Sequence, residues 1–127
     1  MSVRSGKPLV LMAILSFAGG CALPAKIETT AGYGAAAYAP STQDWRLRWK
    51  AADSQRARQH ALTDCAAADC RVVLEFGPGE CGTLALNPQG GVGAGRGATP
   101  AAAETAALDE CRRVGAGCRV AQAECNE

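Results

Sequence analysis

Seven cysteines in 127 residues constrain this chain more than any other feature, because they divide into one isolated residue and a set of six. Cys21 lies alone near the N-terminus. The other six are Cys65, Cys70, Cys81, Cys111, Cys118 and Cys125. An even set in a short chain is typical of a disulfide framework in an oxidising compartment. Such a framework would support a core that is poor in large side chains, since aromatic residues make up only 5% of the sequence.

The six cysteines belong to two copies of one sequence motif. The matching segments are 61–65 with 107–111, 70–72 with 118–120, and 81–82 with 125–126. Six cysteines allow many pairings, and spacing alone does not choose among them. The duplication favours Cys65 with Cys70 and Cys111 with Cys118, which leaves Cys81 and Cys125 to join the two halves.

The N-terminus has the three zones of an export signal. Arg4 and Lys7 precede an apolar run at 8–15, and small residues follow at 16–20. The run is too short to span a bilayer. Residues 17–21, Phe-Ala-Gly-Gly-Cys, resemble a bacterial lipobox, in which the Cys is acylated and becomes the mature N-terminus. We therefore predict a signal peptide at 1–20 and a lipid anchor on Cys21, facing the periplasm or the cell surface; ordinary cleavage to a secreted soluble chain is the alternative.

The remainder divides into a tether and a duplicated domain. The predicted boundaries are 21–34 for the tether and 35–127 for the domain, with copy one at 35–80 and copy two at 81–127. The sequence of each copy predicts the order strand, strand, helix, strand. Two copies are too few for a solenoid, so we expect them to form one domain. We expect an α+β fold in which two helices pack on a mainly antiparallel sheet and disulfides staple the whole.

The two helices have recognisable starts and one narrow packing face each. Asp53 is the predicted N-cap of a helix that runs to about residue 67, and Thr99 with Pro100 opens the second. Small residues recur every fourth position on both helices, with one Leu beside them. The expected packing residues are Ala57, Ala61, Leu62, Cys65, Ala103, Ala107, Leu108 and Cys111. Before the first helix, Trp45, Leu47 and Trp49 alternate with basic residues, as in a half-buried strand.

A glycine-rich stretch at 93–98 follows the pattern G-x-G-x-x-A, which cradles phosphates when it joins a strand to a helix. No acidic residue closes a following parallel strand, and no Gly-Lys-Ser/Thr is present. We therefore expect a glycine-rich edge strand or a close-packed hairpin rather than a nucleotide site.

Metal and catalytic sites also lack their usual patterns. The cysteine spacings contain no C-x-x-C, and His60 is the single histidine, so we expect disulfides and no metal or other cofactor. On the predicted helix His60 precedes Cys65 by five positions, which directs the two side chains to different faces. Carboxylates near the helix ends are expected to be solvated: Asp64, Asp69, Asp109 and Glu110. No residue is predicted to be catalytic.

Basic residues are concentrated in one segment. The candidate binding face comprises Arg46, Arg48, Lys50, Arg56 and Arg58. Such a face would contact an anionic partner, or would simply protect an edge strand from aggregation. The whole chain has 13 basic and 12 acidic residues, and loss of Arg4 and Lys7 with the signal leaves one acidic residue in excess. A chain this close to neutral gives no reason to expect nucleic acid as a partner.

The order of these features resembles the domain-of-unknown-function 4189 family of small exported bacterial proteins. The shared features are an Ala-rich helix ending in Ala-Leu-x-x-Cys, a Cys-Arg-Val strand, a Cys-Gly hairpin and a closing Cys-Asn, over residues 35–126. The resemblance implies a fold and export but no activity. We expect a non-enzymatic envelope protein that binds a macromolecule, such as an inhibitor or immunity-type protein. Its partner would be an envelope protein or an anionic cell-wall or lipid surface; a small envelope hydrolase or a secreted effector is the alternative.

Overall fold

The computed structural model describes residues 32–127. The predicted signal peptide, Cys21 and all but the end of the tether lie outside the described residues. The elements of the first half are β1 (Tyr33–Ala39), β2 (Asp44–Ala51), α1 (Ser54–Asp64) and β3 (Arg71–Phe76). Those of the second half are β4 (Cys81–Leu86), β5 (Val92–Gly97), α2 (Pro100–Val114), β6 (Arg119–Val120) and β7 (Glu124–Cys125). The order strand, strand, helix, strand recurs, but two very short strands replace the last strand of the second half.

The strands form two antiparallel sheets rather than the one expected. The first has the order β2-β1-β3, and the second has the order β5-β4-β6 with β7 also on β4. Ala36, Leu74, Phe76 and Leu84 are buried between the sheets. The outer face of the first sheet packs against α1, and that of the second packs against α2. The α+β prediction is therefore confirmed, with four layers in the order helix, sheet, sheet, helix.

Helix α1 begins where its cap predicts and ends earlier than expected. The Asp53 carboxylate accepts a hydrogen bond of 2.7 Å from the backbone N–H of Arg56. The helix ends at Asp64 because Cys65 adopts an extended backbone conformation. Ala57, Ala61 and Cys65 pack on the first sheet, whereas Leu62 is 38% exposed. The prediction for Leu62 was wrong because each residue advances about 100° around a helix, and the face that packs is only one residue wide.

Helix α2 lies directly on the glycine-rich strand. Thr99 accepts a hydrogen bond of 3.1 Å from the N–H of Ala102, and Pro100 occupies the first turn. A Cβ atom on Gly93 or Gly95 would overlap the α2 backbone. The predicted glycine-rich edge strand is confirmed, since β5 pairs only with β4 among the described strands. The glycines therefore serve close helix–strand packing.

The described residues contain three disulfides, and their pairing is the one that the duplication favours. Cys65–Cys70 connects the end of α1 to the start of β3, and Cys111–Cys118 does the same for α2 and β6. Cys81–Cys125 joins β4 to β7. Both of those strands belong to the second sheet, so this bond does not join the two halves as expected.

Candidate functional site

The two tryptophans of the chain lie outside the fully buried core. Within residues 32–127, eleven of the 18 buried apolar residues are Ala, and the only large ones are Tyr38, Leu74, Phe76 and Leu84. Trp45 is half-buried and Trp49 is 38% exposed. Tryptophan has the largest apolar side chain, and its burial would stabilise a small core more than that of any other residue. At the surface this large apolar side chain remains partly accessible to solvent.

Trp45, Leu47 and Trp49 alternate along β2 on the side that faces the second sheet. Their neighbours on β1 indicate this side, because Leu47 opposes Ala36, which is buried between the sheets. With Arg46, Gln122 and Glu124 they line an open depression of about 480 Å3. Trp45 also borders a second depression of about 470 Å3, which extends along Leu86, Pro88, Arg119 and Val120. We call these two adjoining depressions, with the residues just named, the tryptophan groove.

The groove runs along β2, an outer strand of the first sheet, and the backbone departs from regular strand conformation at both ends of β2. Gln43 and Lys50 have left-handed backbone conformations, with φ of 57° and 58°. Beyond Arg48 the pairing register with β1 shifts, so that Ala51 opposes Tyr33 and packs on the α1 side. Lys50 therefore does not continue the alternation of Arg46 and Arg48 that a regular strand would have.

A buried asparagine holds this end of β2 against the second half of the chain. Asn126 is 1% exposed, and its side-chain oxygen accepts a hydrogen bond of 2.7 Å from the backbone N–H of Lys50. Its side-chain amide group donates to the carbonyl oxygens of Phe76 and Gly77 at 3.3 Å and 3.1 Å. One side chain thus fixes the bulged end of β2, the end of β3 and the C-terminal segment relative to one another.

The five basic residues predicted as a binding face are spread around α1 rather than gathered. Arg48 pairs with Asp64 on the β2 side of α1, whereas Arg58 pairs with Glu75 of β3 at 2.8 Å. The remaining pairs are Arg46 with Asp44 at 2.7 Å and Arg56 with Asp53 at 3.6 Å. Within residues 32–127, Lys50 has no ion-pair partner. These pairs are exposed and contribute little to stability, so the arginines stay accessible to a partner.

Two carboxylates hold the turn between β1 and β2 against the loop after α1. The Ala66 N–H donates to Asp44 at 3.0 Å, and this bond together with the Arg46 guanidinium lowers the pKa of Asp44. The Ser41 hydroxyl and N–H donate to Asp69 at 2.6 Å and 2.9 Å and lower the pKa of Asp69. Asp69 is thus part of the scaffold that positions the start of β2.

Residues 32–127 contain no group of three His, Cys, Asp or Glu side chains placed to hold a metal ion, and every buried side-chain polar atom in this range has a hydrogen-bond partner. His60 is exposed on α1, whereas Cys65 is buried and disulfide-bonded. Neither α1 nor α2 is long and apolar enough to cross a membrane.

A family model described as a domain of unknown function, DUF4189, matches residues 33–125. The chain belongs to this family. The match begins at the first residue of β1 and ends at the last residue of β7, so it covers the whole DUF4189 domain as the structure describes it. No curated protein and no solved structure matches the chain. The resemblance inferred from the six cysteines is therefore confirmed, and the family description assigns no activity.

Sequence reasoning recognised the alternation at 45–49 as a strand but missed the groove. An available signal was that both tryptophans lie on this one strand of an Ala-rich and Gly-rich domain. The opposite wall was not recognisable, because Gln122 and Glu124 belong to a segment that contains only short strands.

Proposed function

We propose that this DUF4189 protein is an exported, non-enzymatic binding protein that holds a macromolecular partner in the tryptophan groove. The observation that carries the proposal is that the exposed Trp49 and the half-buried Trp45 line one open surface of a domain whose core consists mainly of Ala. Tryptophan is among the side chains that contribute most to binding when a partner covers them. Three disulfides indicate an oxidising, exported environment for this interaction.

The shape of the groove favours a macromolecule over a small ligand. Trp45 and Trp49 are four residues apart on β2, which places their Cα atoms about 13 Å apart. The two depressions meet at Trp45 and are open to solvent along their length. A long partner would cover both depressions, whereas sites for small molecules are usually enclosed.

The proposed location is the outer side of a bacterial membrane, with an acyl group on Cys21 as the anchor. The family match begins at residue 33, so about a dozen residues would separate the anchor from the domain. In this arrangement an envelope-acting enzyme is a suitable partner, and the protein would act as its inhibitor or immunity-type antagonist.

Affinity capture with matched variants tests the proposal. The immobilised wild-type domain, a Trp45→Ala/Trp49→Ala variant and a Leu62→Ala variant are each incubated with envelope extract. Leu62 is a suitable control because it is as exposed as Trp49, at 38%, and lies on α1, across the first sheet from the groove. We expect the wild type and Leu62→Ala to retain one dominant partner and the tryptophan variant to lose it.

Two results would contradict this proposal. The first is equal capture by the tryptophan variant and the wild type. The second is the absence of any captured partner together with turnover of a glycan or peptide library by the purified domain, which would identify an enzyme.

A further inference from the structure

We propose that the partner binds as an extended polypeptide segment that adds to β2 as a fourth strand of the first sheet, and that its apolar side chains alternate with acidic ones. This inference rests on the proposed function, because it assigns a chemical class to the occupant of the tryptophan groove. The evidence comes from the open edge of β2 and from the two rows of side chains that border it.

Among the described strands β2 pairs only with β1, so one side of its backbone is open. The Trp45 carbonyl oxygen lies on this open side and accepts a hydrogen bond of 2.8 Å from the exposed Arg46 guanidinium. Since backbone groups alternate in direction along an antiparallel strand, Leu47 and Trp49 present theirs to the same side. An incoming strand would replace the Arg46 contact with its own N–H group. The regular part of this edge, 44–49, spans about 20 Å.

The other edges of the two sheets are less suited to strand addition. The register of β3 shifts at Val73, and the Glu75 carbonyl oxygen already accepts a hydrogen bond of 3.3 Å from Arg96. Such bulges interrupt the regular ladder that a new strand needs. Strand β5 has a glycine at every second position, so it offers no side chains on the α2 side, and β6 and β7 have two residues each.

The side chains of β2 determine which sequence would fit. A strand paired with β2 places alternate residues beside Trp45, Leu47 and Trp49 on the groove side. The residues between them lie on the α1 side, beside Arg46 and Arg48. Apolar side chains suit the first row and carboxylates suit the second. Both arginines are about half exposed, at 43% and 49%, so their present ion pairs leave donors free for a partner carboxylate.

The same arginines argue against a second copy of this chain as the occupant. If two β2 strands paired antiparallel with Trp45 of each copy opposite Trp49 of the other, Arg46 of each copy would lie opposite Arg48 of the other. Like charges in directly opposed positions destabilise strand pairing. The edge therefore disfavours self-association and favours an acidic strand.

The experiment uses blocked synthetic peptides and the fluorescence of Trp45 and Trp49, the only tryptophans in the chain. The parent peptide alternates valine and glutamate over about seven residues, the usual length of a strand. One matched peptide replaces glutamate with lysine. Two others keep the parent sequence and carry N-methyl groups on alternate residues, one on the valines and the other on the glutamates. A neutral cell-wall oligosaccharide is tested in parallel. Hydrogen exchange of the Trp45, Leu47 and Trp49 amides, which face the open side of β2, reports whether the strand edge is covered.

We expect the glutamate peptide to shift the tryptophan emission to shorter wavelength and to protect these amides. The lysine peptide should bind at least about tenfold more weakly, because its charges oppose those of the arginines. One of the two N-methylated peptides should also bind about tenfold or more weakly than the parent, since its methyl groups replace the N–H donors that face β2. An Arg46→Glu/Arg48→Glu variant should prefer the lysine peptide, whereas Leu62→Ala should behave as the wild type.

Strand addition is excluded if both N-methylated peptides bind as well as the parent, or if the oligosaccharide shifts the emission and no peptide does. These outcomes can be separated from failure of the proposed function. If envelope capture still depends on the tryptophans, the groove remains a binding site and only the strand partner is wrong. If capture is independent of the tryptophans, both proposals fail.

Discussion

The Asn126 side-chain oxygen accepts a hydrogen bond of 2.7 Å from the backbone N–H of Lys50, a residue 76 positions earlier in the chain. This contact joins the C-terminal segment to the bulged end of β2. None of the three disulfides crosses between the two sheets, because each bond lies within one half of the domain. Asn126 therefore links the two halves of the domain by hydrogen bonds, whereas the disulfides do not link them.

We expect Asn126→Ala to destabilise the domain by about 2–3 kcal/mol, because it leaves a donor and two carbonyl acceptors in a buried site without their partner. Denaturant unfolding of the oxidised protein measures this change. Gln55→Ala is the matched control, since Gln55 is an exposed amide on α1 and should change stability by less than about 0.5 kcal/mol. A loss for Asn126→Ala no larger than that of the control would refute the role assigned to Asn126.

Gly95→Ala should destabilise the domain by about 2 kcal/mol or more, since the new Cβ would overlap the backbone of α2 and force the helix away from β5. Gly77→Ala serves as the control, because the nearest atom to its new Cβ would be the Glu80 side-chain oxygen at 3.4 Å. Thermal unfolding of both variants checks the prediction. Equal melting temperatures would show that α2 does not need the glycine.

The disulfides should differ in their contributions to stability. In the loop-entropy account, Cys81–Cys125, with a sequence separation of 44, contributes roughly 4 kcal/mol, whereas Cys65–Cys70, with a separation of 5, contributes roughly 2 kcal/mol. Paired Ser substitutions at each bond, compared by denaturant unfolding, measure the difference. The reverse order would show that local strain or packing, rather than loop closure, dominates.

The domain should lose stability in acid through Asp44 and Asp69. The Ala66 N–H lowers the pKa of Asp44, and the Ser41 hydroxyl lowers that of Asp69, both from the ordinary value of 3.8. A carboxyl whose pKa is lowered by folding stabilises the folded state above its unfolded pKa, and this contribution disappears as the pH falls through the folded pKa. Unfolding midpoints measured as the pH is lowered below 3.8 should therefore decline.

Ser41→Ala tests the cause at Asp69, because it removes the hydroxyl that contributes most to the lowered pKa. The pKa of Asp69 in the folded protein, followed by NMR titration, should rise toward 3.8, and the acid-dependent loss of stability should become smaller. Ser54→Ala, at the exposed start of α1, should leave the Asp69 titration unchanged. No movement of the Asp69 pKa in Ser41→Ala would contradict the assignment.

Acylation of Cys21 predicts that the mature protein partitions into detergent and that its intact mass includes a diacylglycerol group. Cys21→Ser should remove the diacylglycerol group from the intact mass without changing the unfolding midpoint of the domain, since the family match begins at residue 33. A wild-type mass without the lipid would remove the anchor and leave the disulfide-stapled domain unaffected.

Part of this fold could be predicted because its signals act over short distances along the chain. Asp53 and Thr99 cap helices through bonds to backbone N–H groups three residues away, and each helix-end cysteine pairs with the next cysteine in the sequence. Duplication then repeats the same order of elements in the second half. The family follows from these features, because six cysteines in register are a property of sequence alone.

Contacts between distant segments decided the rest. The extra residue at Val73 turns Val72 toward α1 while Leu74 and Phe76 face the second sheet, whereas a regular strand would place all three on one face. Asp64 and Glu75 reach the basic residues only through the packing of α1 on the first sheet. The tryptophan groove likewise exists because two separate sheets bring Trp45 and Trp49 opposite the segment that contains Gln122.

The sequence by itself therefore determined the local elements, the disulfide set and the family of this chain. Only the tertiary structure decided which side chains share a surface, because strand register and sheet packing depend on interactions between residues far apart in sequence.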